Sequence, residues 1–87
     1  MNKEELTAQL KVIIKPYTTN TDAYENFTEE TDFIKDLNIN SANLVDIILD
    51  IEEAFDIVIE NTDMERMLDV KTSVAIIETK LAQNDRQ

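Results

Sequence analysis

The chain contains no glycine, cysteine or histidine and a single proline, Pro16. Without cysteine and histidine, Ser–His and Cys–His nucleophiles and the usual zinc ligand sets are excluded. Disulfides are excluded too, although that absence does not fix the cellular compartment. No apolar run approaches the roughly 18 residues of a membrane span, and the N-terminus lacks a signal-peptide pattern. We therefore expect a soluble, cytoplasmic protein.

The absence of glycine constrains the backbone. Any left-handed position must fall to asparagine or aspartate, and Asn38 is the predicted one. The 87 residues predict one small domain (residues 1–87) with a thin core. Such a domain has little room for a deep, enclosed active site.

Acidic residues dominate the chain, which carries a formal net charge of −11. Fifteen acidic and two basic residues lie between Asp22 and Asp69, for a net charge of −13, and the remainder is slightly basic. A surface of this kind repels nucleic acid and anionic membranes and attracts basic protein partners. The simpler alternative is that the acids only keep a small protein soluble.

The first predicted helix covers residues 2–15, with Asn2 as its N-cap. Pro16 should disfavour helical geometry at Lys15 and stop the helix. Its apolar positions recur at helical spacing and predict a core face: Leu6, Leu10, Ile13, Ile14 and Tyr17.

Residues 17–40 form a long polar connection, a length that is usually functional or pinned by its own side chains. A short helical turn is expected over residues 29–37. The predicted apolar anchors are Tyr24, Phe27, Phe33, Ile34, Leu37 and Ile39.

The central predicted helix covers residues 41–55. On a helical wheel, the core stripe lies within about 60° of Leu44 and also contains Ile47, Ile48, Ile51 and Phe55. Asp46, Asp50 and Glu53 fall on the opposite, wet side. Ala42, Val45 and Leu49 form an apolar strip outside the core stripe, bordered by carboxylates. Such a strip is typical of a helix that docks on a basic, partly apolar partner; the alternative is a more deeply buried helix.

The last third of the chain predicts a short helix at about 62–67 and a final helix at about 70–83. Asn61-Thr62-Asp63 offers caps for the first of these, and Asp69 offers a cap for the second. Val70, Val74, Ile77 and Leu81 would form the core face of the final helix, with Ile76 beside it. Residues 84–87 should fray. The prediction is an all-α fold.

Two motifs resemble the acyl carrier protein family. They are Asp36-Leu37-Asn38-Ile39-Asn40-Ser41 and, after an acidic helix, Glu52-Glu53-Ala54-Phe55. The family pattern is Asp-Leu-Gly, an apolar residue and Asp-Ser-Leu, closing on Glu-Glu-x-Phe. Asn38, Asn40 and Ala42 stand where the family has Gly, Asp and Leu. The resemblance covers nearly the whole chain and implies a four-helix bundle with three longer helices, one short helix and a long first loop.

The resemblance implies a carrier and not an enzyme. Ser41 would hold 4′-phosphopantetheine, attached from coenzyme A by a phosphopantetheinyl transferase. The arm would supply the thiol that the chain lacks. A phosphate there would meet the positive end of a helix dipole. Acyl intermediates of fatty-acid, polyketide or related secondary metabolism would travel as thioesters on a monomeric protein, with no metal.

The resemblance also implies two sets of site residues. Partner enzymes (acyl-transferring, condensing or acyl-activating) would present basic surfaces to one set: Asn40, Ala42, Val45, Asp46, Leu49, Glu52 and Glu53. The other set could part to shelter an acyl chain: Leu44, Ile48, Phe55 and Ile59.

Two alternatives remain at the level of sequence. One is an aminoacyl or peptidyl carrier. The other is an unmodified acidic interaction module in which Ser41 is a plain N-cap or first helical residue, because a serine at a helix start is usually a cap.

Overall fold

The computed structural model describes residues 2–84. Within that range it contains five α-helices: α1 (Lys3–Ile14), α2 (Thr21–Glu25), α3 (Ser41–Phe55), α4 (Asn61–Met64) and α5 (Val70–Asn84). The three longer helices form the body of the protein, with α1 packed against both α3 and α5. The predicted all-α architecture is confirmed, and α2 adds a short helix that the sequence did not predict.

Helix α1 begins as predicted, because Oδ1 of Asn2 accepts a 2.8 Å hydrogen bond from the Glu5 N–H. The α-helix ends just before Pro16, as predicted, but the expectation of non-helical geometry at Lys15 is wrong. Lys15 has helical angles (φ −49°, ψ −47°), and a 3₁₀ turn, Lys15–Tyr17, follows α1 directly. Pro16 has no N–H to donate to the carbonyl four residues earlier, so the α-helical hydrogen-bond pattern ends there and the chain continues as the 3₁₀ segment.

The long connection, residues 17–40, is held in place partly by backbone hydrogen bonds. The Phe33 N–H donates to the Leu68 carbonyl at 2.9 Å, and the Val70 N–H donates to the Thr31 carbonyl at 3.1 Å. These bonds flank an isolated antiparallel bridge between positions 32 and 69. The loop thereby satisfies N–H groups at the start of α5 that the helix itself leaves unpaired.

The predicted short helix at 29–37 is wrong, because those residues form turns around the bridge. The short helix lies earlier, in α2, where Oδ1 of Asn20 accepts the Ala23 N–H at 3.2 Å. Among the predicted anchors, Phe33 is buried, as are Leu37 and Ile39, whereas Ile34 is exposed.

Helix α4 starts at Asn61 and ends at Met64, so the predicted range of 62–67 is wrong. Its cap position is Glu60, with no side-chain cap. The predicted cap of α5 is confirmed: Oδ1 of Asp69 accepts the Thr72 N–H at 2.8 Å. The predicted frayed tail lies, from Asp85 onward, outside the described residues.

One apolar cluster joins the helices, and it includes the predicted core faces of α1, α3 and α5. Leu44 and Leu81 lie at its edge, half-buried. No helix between residues 2 and 84 is both long and apolar enough to cross a membrane. Over the same residues, no group of three acidic side chains is arranged to hold a metal ion.

Candidate functional site

The backbone that enters α3 is held by side chains from the segment after α1. The Thr18 hydroxyl donates to the Leu37 carbonyl at 2.8 Å, and Nδ2 of Asn38 donates to the Thr19 hydroxyl at 3.0 Å. Asn38 has a positive φ of 55°, as the sequence predicted. These contacts fix the position of the helix start that carries Ser41.

Asn40, and not Ser41, is the N-cap of α3. Its Oδ1 accepts the Ala42 N–H at 2.9 Å, and its carbonyl accepts the Asn43 N–H at 2.8 Å. Ser41 is the first helical residue and is exposed. Its hydroxyl makes no hydrogen bond to any residue in the range 2–84. The helix therefore does not use this hydroxyl for its own stability.

The second serine of the chain differs from Ser41 in its burial. Ser73 lies in α5 with 0% of its surface exposed. Its Oγ has no hydrogen-bond partner among the described residues. Since Ser41 and Ser73 are the two serines of the sequence, Ser41 is the serine that an enzyme can reach.

An exposed apolar strip follows Ser41 along α3, where the helical wheel predicted it. Val45 is 48% exposed and Leu49 is 56% exposed. Ala42 is exposed at the Ser41 end of the strip, and Asp46 and Glu53 are exposed beside it. Apolar side chains bordered by carboxylates therefore reach solvent along this face.

Two acidic residues of α3 are engaged within the protein. Oε2 of Glu52 accepts the Ile59 N–H at 2.8 Å. Oδ2 of Asp50 accepts the Tyr17 hydroxyl at 2.7 Å, so its expected place on a wet face is wrong. Both are half-buried. The sequence did not predict these two hydrogen bonds. Each donor lies outside α3, in a segment that only the folded chain brings to the helix.

The hydrogen bond to Asp50 is the main reason that the pKa of Tyr17 is raised. Burial and the negative charges of Asp50 and Asp46 act in the same direction. The phenol therefore stays protonated to higher pH than an ordinary tyrosine.

The four residues predicted to shelter an acyl chain lie in or against the core cluster. Ile48, Phe55 and Ile59 are buried, and Leu44 is half-buried. They bring α3 and the loop after it together on the inner side of the helix.

No protein-family model matches the chain. Individual proteins are similar to it over most of its length. An acyl carrier protein from Coprothermobacter proteolyticus is 35% identical over 81 residues, which cover 93% of this chain and 96% of the relative. Acyl carrier proteins from Petrotoga mobilis (33% over 85 residues, 98% of each chain) and Thermotoga maritima (32% over 80 residues, 92% of this chain and 96% of the relative) are also similar. With this identity over nearly its full length, the chain belongs to the acyl carrier protein family, whose members are carriers and not enzymes.

Proposed function

We propose that Ser41 carries 4′-phosphopantetheine, transferred from coenzyme A by a phosphopantetheinyl transferase, and that the chain presents acyl intermediates on that arm. The supporting observation is the Ser41 hydroxyl, which is exposed and free of hydrogen bonds to the described residues while Asn40 does the capping. The chain has no cysteine, so the thiol of a thioester must come from the arm.

The surroundings of Ser41 suit a phosphodiester. A helix start offers unpaired N–H groups and a positive dipole end. The first turn of α3 carries no acidic side chain, and the cap is the neutral Asn40. A negative phosphate on the Ser41 oxygen would therefore meet no carboxylate within that turn.

The exposed strip on α3 is the proposed docking surface for partner enzymes. Val45 and Leu49 would enter apolar depressions, with Ala42 and Asn40 beside the arm. Asp46 and Glu53 would meet lysine and arginine side chains. Each exposed ion pair contributes about 0–1 kcal/mol, so several together favour fast, salt-sensitive encounters. Glu52 belongs to the same predicted set, and its carboxylate is already bonded to the Ile59 N–H.

An acyl chain on the arm would be sheltered by the apolar side chains between α3 and the following loop: Leu44, Ile48, Phe55 and Ile59. The proposed acyl groups are intermediates of fatty-acid, polyketide or related biosynthesis. The enzymes that load and use them would present the basic surfaces. The chain would act as one domain over residues 1–87, and its cytoplasmic location stays a prediction.

The test is to incubate the purified protein with coenzyme A and a broad-specificity phosphopantetheinyl transferase, and then to record the intact mass. We expect one phosphopantetheine per chain, and none on the Ser41→Ala variant. The proposal fails if several transferases leave the wild-type chain unmodified and the protein from its native host is also unmodified.

A further inference from the structure

The loop after α3 exposes one large apolar side chain between two buried ones. Ile57 and Ile59 are buried, whereas Val58 is 72% exposed. Its flanking residues, Asp56 and Glu60, are acidic and exposed. A single exposed valine needs no explanation by itself. Val58 differs from other exposed valines because hydrogen bonds to α3 hold the loop on both sides of it.

Glu52 holds the chain on both sides of Val58. Its backbone carbonyl accepts the Ile57 N–H at 3.1 Å, and its carboxylate accepts the Ile59 N–H at 2.8 Å. Asp56, with a φ of 54°, ends α3 and turns the chain into this loop. Both neighbours of Val58 are therefore fastened to α3, and the valine is held outward at a defined place.

The attachment point of this loop lies on the same side of α3 as the exposed strip. On the helical wheel Glu52 lies at about 80° from Leu44, next to Val45 at about 100° and Leu49 at about 140°. The loop bonded to Glu52 is therefore fastened to the same side of α3, one helical turn beyond the Leu49 end of the strip. An apolar side chain bordered by carboxylates occurs in both places, with Asp46 and Glu53 on the helix, and Asp56 and Glu60 in the loop.

We propose that Val58 extends the docking surface from α3 into the loop, and that Glu52 is a positioning residue that holds Val58 there. The inference rests on the proposed function, because the occupant is a partner enzyme of the carrier. Its surface would present an apolar depression rimmed by lysine and arginine. Charge complementarity identifies that chemistry, since residues 22–69 carry a net charge of −13.

A cleft of about 220 Å³ opens beside Val58, lined also by Ile57, Glu60 and Lys80. The Lys80 ammonium is paired with Asp63 at 3.0 Å, so its positive charge is compensated within the protein. The aliphatic stem of a partner's lysine or arginine can pack on Val58 while its charged end meets Glu60.

The first experiment compares Val58→Thr with Val12→Thr, a matched control on α1 where the valine is 70% exposed. Threonine keeps the shape and replaces one methyl group by a hydroxyl. The readouts are transferase modification and the loading of the modified protein by an acyl-activating enzyme. For Val58→Thr we expect KM for the carrier to rise roughly threefold to tenfold in at least one reaction, with kcat nearly unchanged. Val12→Thr should match the wild type.

The second experiment separates positioning by Glu52 from direct contact by its charge. Glu52→Ala removes the acceptor for the Ile59 N–H, so Ile59 amide exchange should accelerate and KM should rise as for Val58→Thr. Glu52→Gln removes the charge and keeps an acceptor oxygen, so it should recover slow exchange and most of the lost affinity. The Glu52→Ala/Val58→Thr double variant should be less impaired than the product of the single effects.

Three results would overturn the inference. One is wild-type KM values for Val58→Thr in both reactions while Ser41→Ala abolishes modification, which leaves the proposed function standing. Another is an equal loss in Val12→Thr. The third is a Glu52→Gln variant as impaired as Glu52→Ala while its Ile59 amide stays protected, because the charge would then be the contact. Failure of Ser41 modification in the wild type would remove the proposed function and this inference together.

Discussion

The hydroxyl of Tyr17 donates a 2.7 Å hydrogen bond to Oδ2 of Asp50. It joins the turn after α1 to the middle of α3, across 33 positions of sequence. Thr18, the next residue, holds the Leu37 carbonyl in the segment before Ser41. The same short turn therefore positions both the body of α3 and the approach to its first residue.

This hydrogen bond predicts an abnormal tyrosine titration. In a Tyr24→Phe background Tyr17 is the sole tyrosine, and its absorbance change with pH should give a pKa above the ordinary value of 10.0. Asp50→Asn in that background should lower the pKa toward 10.0, because it removes both the charged acceptor and a negative charge. An unchanged midpoint after Asp50→Asn would contradict the assignment.

The raised pKa of Tyr17 also determines how the stability of the protein changes with pH. Because the folded state holds the Tyr17 proton more tightly than the unfolded state, the associated stabilisation is complete below about pH 10. It is lost as the pH rises through the raised pKa of the folded state. Tyr17→Phe should remove that part of the alkaline loss of stability, as measured by urea unfolding at a series of pH values.

The free energy of unfolding of two variants can test whether Asn40 or Ser41 caps α3. Asn40→Ala should lower the free energy of unfolding by about 1 kcal/mol, because the Ala42 N–H loses its acceptor. Ser41→Ala should change it by less than about 0.5 kcal/mol, because the exposed hydroxyl bonds to none of the described residues. Urea denaturation measures both values. The reverse order would make Ser41 the cap.

Ser73 offers a substitution that should stabilise the protein. Its buried Oγ has no partner among the described residues, and an unsatisfied buried hydroxyl carries an uncompensated desolvation cost. Ser73→Ala should raise the free energy of unfolding by about 1 kcal/mol, with Ser41→Ala as the matched exposed control. A destabilised Ser73→Ala variant would mean that the hydroxyl has a bonding partner in solution.

The sequence predicted elements whose signals are local. Helix α3 has the predicted bounds, since its apolar stripe recurs at helical spacing and Asn40-Ser41 marks its start. Asn38 followed from the absence of glycine, and Asp69 from its place before the last helix. Each of these depends on residues within a few positions of one another.

The features that were missed depend on contacts between distant segments. Asn20 caps α2, and its Nδ2 also donates to the Asp36 carbonyl at 2.9 Å, so that short helix is stabilised by the loop that returns beside it. The resemblance to the carrier family implied that Glu52 faces partners. Only the path of the following loop brings the Ile59 N–H to its carboxylate.

Asp46 and Glu53 border the proposed docking surface, so reversing their charges should slow acyl loading more than the same reversal elsewhere on the protein. Asp46→Lys/Glu53→Lys should slow acyl loading up to about tenfold at low salt, since it replaces attraction by repulsion at two contacts. Glu25→Lys/Glu30→Lys makes the same change in net charge at exposed positions off this surface. Loading rates that fall equally in both variants, or that do not respond to salt, would contradict a docking role for this face.

The most direct test of the role of Ser41 is to locate the modification after transfer from coenzyme A. Cleavage after lysine and arginine separates the two serines: one peptide, residues 36–66, contains Ser41, and another, residues 72–80, contains Ser73. We predict one phosphopantetheine, entirely on the first peptide and on the Ser41 oxygen when that peptide is fragmented. A protein that stays unmodified, or that carries the group at any other residue, would contradict this prediction.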